Sequence, residues 1–280
     1  MPSDPWSIFA VLPRRTILSR GAAGTGGGTQ VLAANVDKVW IVHGLDMPLN
    51  PRRLERYLAV VWESGATPEV ILSKADLAED LEGTAKQVKV VAMGATVRCV
   101  SSEDPETVRD LRNSLAPGCT VSLLGPSGVG KSTLVNLLAE ETLAETGTVR
   151  AGDRKGRHTT VRREIFRVLG GALLLDTPGL RELRVGALDE GLRGAFADIA
   201  DLAEHCRFRN CRHDGEPGCA VLEAVEFGNL DSDRLAGFRK LQAEAAHEAR
   251  KTDPLARAAA LTEWKTAMKT LKHHPKHKRR

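Results

Sequence analysis

The chain has 280 residues, 42% of them hydrophobic and 27% charged, with a formal net charge of +4. That length accommodates about two domains with real cores, and the apolar share is that of an ordinary soluble globular protein. No apolar run approaches the ~20 residues of a membrane helix, and the start MPSDPWSIFAVLPRR lacks the basic-then-apolar layout of a signal peptide, so the expected compartment is the cytoplasm.

In chain order, Ser7 to Leu12 reads as a short β-like stretch, and RGAAGTGGGTQ, lacking a lysine after its glycines, reads as a flexible joint rather than a phosphate loop. VDKVWIVHGL is a buried-strand run. Residues 51–64 carry helical periodicity with Leu54, Leu58 and Val61 on one face. EVILSKADL is a second strand running into a loop, 78–91 a helix, ATVRCVSS a third strand and 105–115 a third helix. CTVSLLG is a strand ending in a glycine loop, with a helix from Lys131, and EIFRVLGGALLLDTPG reads as a two-stranded hairpin. Strands alternating with helices predict an α/β fold with a mainly parallel sheet. Beyond Leu183 the strands stop: 188–204 and most of 222–268 look helical around a cysteine-rich knot, and the chain ends in the basic run KTLKHHPKHKRR, suited to a polyanion such as RNA.

Residues 125–132, GPSGVGKS, fit the phosphate-loop pattern between an apolar strand and a helix. Glycines there let backbone N–H groups turn toward phosphate oxygens, and the helix N-terminus favours the same anion. Lys131 is placed for the β- and γ-phosphates and Ser132 for Mg²⁺. Asp176-Thr177-Pro178-Gly179 follows the strand ALLL, with Asp176 toward the Mg²⁺ shell and the Gly179 N–H toward the γ-phosphate. Between them Gly156-Arg157-His158-Thr159-Thr160 is a candidate first switch, with a threonine closing on the metal, here Thr160.

Ser73-Lys74-Ala75-Asp76 stands where GTPases carry Asn-Lys-x-Asp. The Asp76 carboxylate is suited to guanine N1–H and the 2-amino group, which adenine cannot supply, and the Lys74 stem is suited to pack on the base. Ser101-Ser102 forms a second base loop. Nucleotide contacts are therefore expected from Ser73, Lys74, Asp76, Ser101 and Ser102, from Gly125, Ser127, Gly128, Val129, Gly130, Lys131, Ser132 and Thr133, and from Asp176 and Gly179. The base motif precedes the phosphate motifs, the reverse of the ordinary order, which marks a circular permutation. Leu180 occupies the place of a water-orienting glutamine. Intrinsic hydrolysis is expected to be slow, with His158 as the nearest substitute and Lys131 and Thr159 as its catalytic companions. An ATP-dependent enzyme would leave Asp76 unexplained.

Cys206, Cys211, His213 and Cys219 have the spacing of a closed structural zinc site, while Cys99 and Cys119 read as buried thiols in strands. Arg207, Arg209 and Arg212 interleave the ligands and suit a phosphate backbone.

GPSGVGKST, GRHTT, DTPG and CRFRNCRHDGEPGC in this permuted order, with VLPRR and VLAANVDKVWIV before them, resemble the RsgA (also called YjeQ) family of ribosome small-subunit-dependent GTPases over about residues 10–270. The resemblance implies binding to the small ribosomal subunit and its rRNA late in maturation, GTP hydrolysis stimulated by that subunit, and release on hydrolysis. It also implies a hydrophobic residue in place of the glutamine, matching Leu180, and a catalytic histidine matching His158. Two departures stand out: Ser73 replaces asparagine, and only about 35 residues precede the GTPase domain, enough for one or two strands of the family's five-stranded OB barrel. The expected organisation is an OB-like remnant and linker over 1–34, a permuted GTPase domain over 35–185, and an α-rich zinc domain with a basic tail over 186–280, acting as a monomer with no membrane. The competing reading is a zinc-containing RNA-binding module whose GTP site is a degenerate clamp.

Overall fold

The computed structural model describes residues 8–21, 29–139, 164–176 and 188–272. Strands β1 (Ile17–Gly21) and β2 (Thr29–Ala34) pair antiparallel, so the Gly-rich segment joins the two arms of one hairpin. Residues 8–12, expected to extend, carry no strand; their apolar side chains are exposed and have no neighbouring strand to pair with among the described residues.

The main sheet comprises β3 (Lys38–Gly44), β4 (Thr67–Ser73), β5 (Thr96–Val100), β6 (Thr120–Leu124), β7 (Glu164–Arg167) and β8 (Leu173–Asp176). Its spatial order is β5-β4-β3-β6-β8-β7, parallel except for β7, which forms the expected hairpin with β8. A strand buried on both faces needs apolar residues at every position, and β3 shows why. Val39 and Ile41 enter the hydrophobic cluster on one face, Trp40 and Val42 the cluster on the other. The one buried carboxylate in β4, Glu69, is satisfied by the Lys38 ammonium at 2.8 Å and the Trp40 indole N–H at 2.9 Å.

Helices α1 (Pro51–Glu63) and α2 (Leu81–Val91) cover one face of the sheet; α3 (Pro105–Asn113) and α4 (Lys131–Leu138) cover the other. Asn50 caps α1 by accepting from the Arg53 N–H at 3.0 Å, with Pro51 supplying the preset first turn. The predicted apolar stripe of α1 is buried as expected, but so are Glu55 and Ala59. The cause is a second helical layer made of α5 (Asp189–Ala195), α6 (Ala197–Ala203), α7 (Ala220–Glu226) and α8 (Ser232–Thr252), to which α9 (Pro254–Lys272) is appended. The helix expected over 188–204 is thus two, broken at Phe196, whose ring is fully buried.

Helix α5 meets α1 through two small residues. A Cβ on Gly191 would stand 2.1 Å from the Ala59 carbonyl oxygen, and one on Gly194 2.5 Å from the Trp62 ring. The Gly191 N–H also donates to Glu63 at 2.8 Å. Arg234 of α8 is buried over the Phe196 ring, pairs with Asp198 at 2.5 Å and with Glu55 of α1 at 3.5 Å, and donates to the Ala195 carbonyl. Breaking such a network by removing one partner costs about 3–5 kcal/mol, because the remaining charge stays buried. No helix among the described residues is long and apolar enough to cross a membrane.

Candidate functional site

Parallel strands end together, and the predicted motifs lie on those ends. Ser73 pairs in register with Gly44 of β3 and Val100 of β5, Ile41 with Leu124 of β6, and β8 terminates beside β6 at Asp176. In an open α/β sheet the crevice outside these carboxyl ends is where ligands bind.

At the phosphate end, β6 passes through Gly125 into a loop capped by Gly130 before α4. A Cβ on Gly125 would come within 2.5 Å of the Val42 carbonyl oxygen, and Gly130 has φ 90°, so both positions require glycine. Val129 is fully buried and anchors the loop. Ser127, Ser132 and Thr133 are exposed at its mouth. The Lys131 ammonium donates to the Gly125 and Pro126 carbonyls at 2.8 and 2.6 Å, so its charge lies across the loop.

At the base end, the two predicted loops meet. The Ser101 hydroxyl donates to the Asp76 carboxylate at 2.5 Å, while its own N–H and C=O are held by Thr107. Ser73, the residue in place of asparagine, donates from its hydroxyl to the Val129 carbonyl at 2.6 Å. The tether between base motif and phosphate loop is therefore kept by a shorter side chain. Holding the Val129 carbonyl fixes the peptide plane on which the Gly130 N–H sits. Lys74 has φ 55°, uncommon for a residue with a side chain, and pairs with Asp46 at 2.6 Å. That hydrogen bond is the main reason the Asp46 carboxyl lies below its ordinary range. Ser102 is exposed beside Ser101. His158, Thr159, Thr160, Gly179 and Leu180 lie outside the described residues.

The four predicted metal ligands also converge, their ligand atoms all within 4.8 Å of one another. Cys206 Sγ stands 3.9 Å from Cys219 Sγ and 3.6 Å from His213 Nδ1, which is 3.4 Å from Cys219 Sγ. Tetrahedral zinc, with Zn–S about 2.3 Å and Zn–N about 2.0–2.1 Å, sets its ligand atoms about 3.5–3.8 Å apart, so the donor set fits that ion through Nδ1. His213 has φ 57°, and the flanking N–H groups of Arg212 and Asp214 both donate to the Glu216 carboxylate, at 2.8 and 2.7 Å. Those bonds hold Glu216 down at about 2. Desolvation first, then the neighbouring thiols, push the Cys211 thiol up to about 11. The other two cysteines, Cys99 and Cys119, are half-buried, and burial raises both.

Sequence reasoning missed Asp46 and Glu216. Asp46 had a faint signal, an acid just past the end of a buried strand; Glu216 had none, because its partners are backbone N–H groups.

The family model for the RsgA GTPase matches residues 11–186. The small ribosomal subunit biogenesis GTPase RsgA of Methanosarcina acetivorans is 46% identical over 246 residues, 88% of this chain and 67% of that protein. The crystal structure of YjeQ from Thermotoga maritima superposes with a TM-score of 0.63 at 26% identity, over 84% of this chain and 77% of that one. YloQ, described as a circularly permuted GTPase, superposes with a TM-score of 0.58 at 24% identity over 85% and 82%, a likeness of fold alone. By its permuted motifs, its sheet and these matches, the chain belongs to the RsgA GTPase family.

Proposed function

We propose that this protein is a GTP hydrolase acting in late maturation of the small ribosomal subunit, stimulated by that subunit and released on hydrolysis. The observation that carries the guanine reading is the meeting of two loops with the phosphate loop at the carboxyl ends of the sheet's strands: Asp76 held by Ser101, and Ser73 bonded to Val129. The names of the relatives support the ribosomal role, and the competing reading of a degenerate RNA-binding clamp is not favoured.

In this reading Asp76 accepts from guanine, with Ser102 beside it, and the Lys74 stem covers the base. The N–H groups of the phosphate loop and Lys131 hold the phosphates. Magnesium, carried in with GTP, neutralises phosphate charge, with Ser132, Thr160 and Asp176 around it and the Gly179 N–H on the γ-phosphate. His158, with Thr159 beside it, orients the attacking water that Leu180 cannot. Zinc on Cys206, Cys211, His213 and Cys219 is structural, folding the knot so that Arg207, Arg209 and Arg212 face rRNA. Residues 1–34 act as an OB-like remnant with linker, 35–185 as the GTPase domain and 186–280 as the zinc domain of a cytoplasmic monomer.

The test is turnover of GTP by the purified protein, alone and with isolated small subunits, with ATP in parallel. Strong stimulation confined to GTP is expected. Equal turnover of ATP, or GTP turnover indifferent to the subunit, would overturn the reading.

A further inference from the structure

The loop between β3 and α1 contributes a side chain to the base end that none of the guanine motifs contains. Asp46 is paired with Lys74 at 2.6 Å, and the two side chains are 33% and 31% exposed. An ordinary surface ion pair on mobile side chains contributes little, but three features set this one apart. First, the carboxylate is braced. A Cβ on Gly44 would stand 2.5 Å from Asp46 Oδ1 and 3.5 Å from the Val129 Cα, so the Asp46 oxygen occupies space left by a missing side chain beside the phosphate loop. Second, the loop is hooked to the motif, since the Leu45 N–H donates to the Ser73 carbonyl at 2.9 Å, one residue before Lys74. Third, Lys74 leaves the chain from a left-handed backbone conformation, which fixes the direction in which its stem departs.

We infer that Asp46 is a positioning residue of the guanine site, which acts by holding the Lys74 ammonium so that the lysine stem is a fixed platform for the base. The inference rests on the guanine reading above and extends it. A four-carbon stem that is free in solution loses rotamer freedom when it covers a ligand, and a stem already held at its far end has less to lose. The contribution therefore belongs to nucleotide binding and not to the chemical step. It acts alike on GDP and GTP, because both present the same base. It weakens with salt, because the brace is charged.

The experiment is a double-mutant cycle on the full chain, measuring affinity for a fluorescent GDP analogue in wild type, Asp46→Ala, Lys74→Ala and the double variant, with ADP as competitor. Asp46→Ala is expected to weaken GDP binding about three- to tenfold, the range of a charge-assisted contact that is partly solvent-screened. GTP should show the same factor, as a raised KM with kcat unchanged. In the Lys74→Ala background the further loss should vanish, since Asp46 then has nothing to hold. Asp46→Asn keeps the side chain's volume over Gly44 and guards against misfolding of the alanine variant; it too must lose affinity. Unchanged GDP affinity in Asp46→Asn, or losses that simply add in the double variant, would overturn the role of Asp46 while leaving guanine preference over ADP intact. A wild-type chain with no such preference would instead remove the guanine site and this inference together.

Discussion

The nucleotide edge and the cysteine-rich knot are both made of loops, yet they are assembled in opposite ways. At the edge, contacts join residues far apart in sequence: Ser73 reaches Val129, and Ser101 reaches Asp76, because parallel strands bring their ends into line. At the knot, all four predicted ligands lie within residues 206–219, and the brace on His213 comes from Glu216, three residues away. The edge is a product of the whole sheet; the knot is built within one short segment, whose donor set fits a metal ion. Local construction therefore makes the knot separable in its chemistry, and long-range construction makes the edge depend on the core.

Three changes break or sharpen that contrast. The largest effect is expected from Asp76→Asn. An amide cannot accept both guanine donors but can donate to the carbonyl that xanthine carries in place of the amino group. Preference for guanine over xanthine should fall by about 10⁴-fold, seen by competition with the two nucleoside diphosphates, and metal content should be unchanged. Next comes removal of the proposed zinc, by a zinc-selective chelator with magnesium kept in excess or by Cys219→Ser. Cys219 is one of the four proposed ligands and is also the residue that caps α7. The melting temperature should drop by about 2–4 °C for each kcal/mol lost, measured by circular dichroism, while GDP affinity persists. Loss of GDP binding in Cys219→Ser, with magnesium supplied in excess, would show that the two regions are not separable.

The smallest effect is expected from Glu216→Gln. Supporting groups of this kind are worth about 10–100-fold in metal affinity, read by competition with a chromophoric chelator. Its pH dependence has a definite sign. The carboxyl sits at about 2 in the folded chain against an ordinary 4.5. The wild-type advantage over Glu216→Gln in metal-free stability is therefore complete above about pH 4.5 and fades as pH falls from there toward 2. An advantage that grew on acidification would remove Glu216 as the brace.

The sequence made the parallel α/β sheet legible because its strands are continuous apolar runs separated by amphipathic segments, and the phosphate loop and ligand set were legible because their chemistry demands fixed spacings. What could not be read were contacts that depend on three-dimensional register. Lys38 and Glu69 look like surface charges on separate strands, but β3 and β4 place them with Trp40 in one satisfied cluster. Glu55 reads as the solvent side of α1, yet Arg234, far along the chain, buries it. Ser73 reads as a weakened motif, and only the position of Val129 shows that the tether survives.

The close seat of Gly191 and Gly194 against α1 also bears on how the protein can be handled. A gene fragment ending before Leu188 would retain every described residue of the nucleotide edge, but it would strip α1 of its outer cover and bare Ala59, Trp62 and the Glu55 carboxylate to water. Apolar surface of that kind promotes association. Such a fragment should express poorly and precipitate, and the remedy is to trim beyond α8 rather than to divide the chain at the end of its last strand.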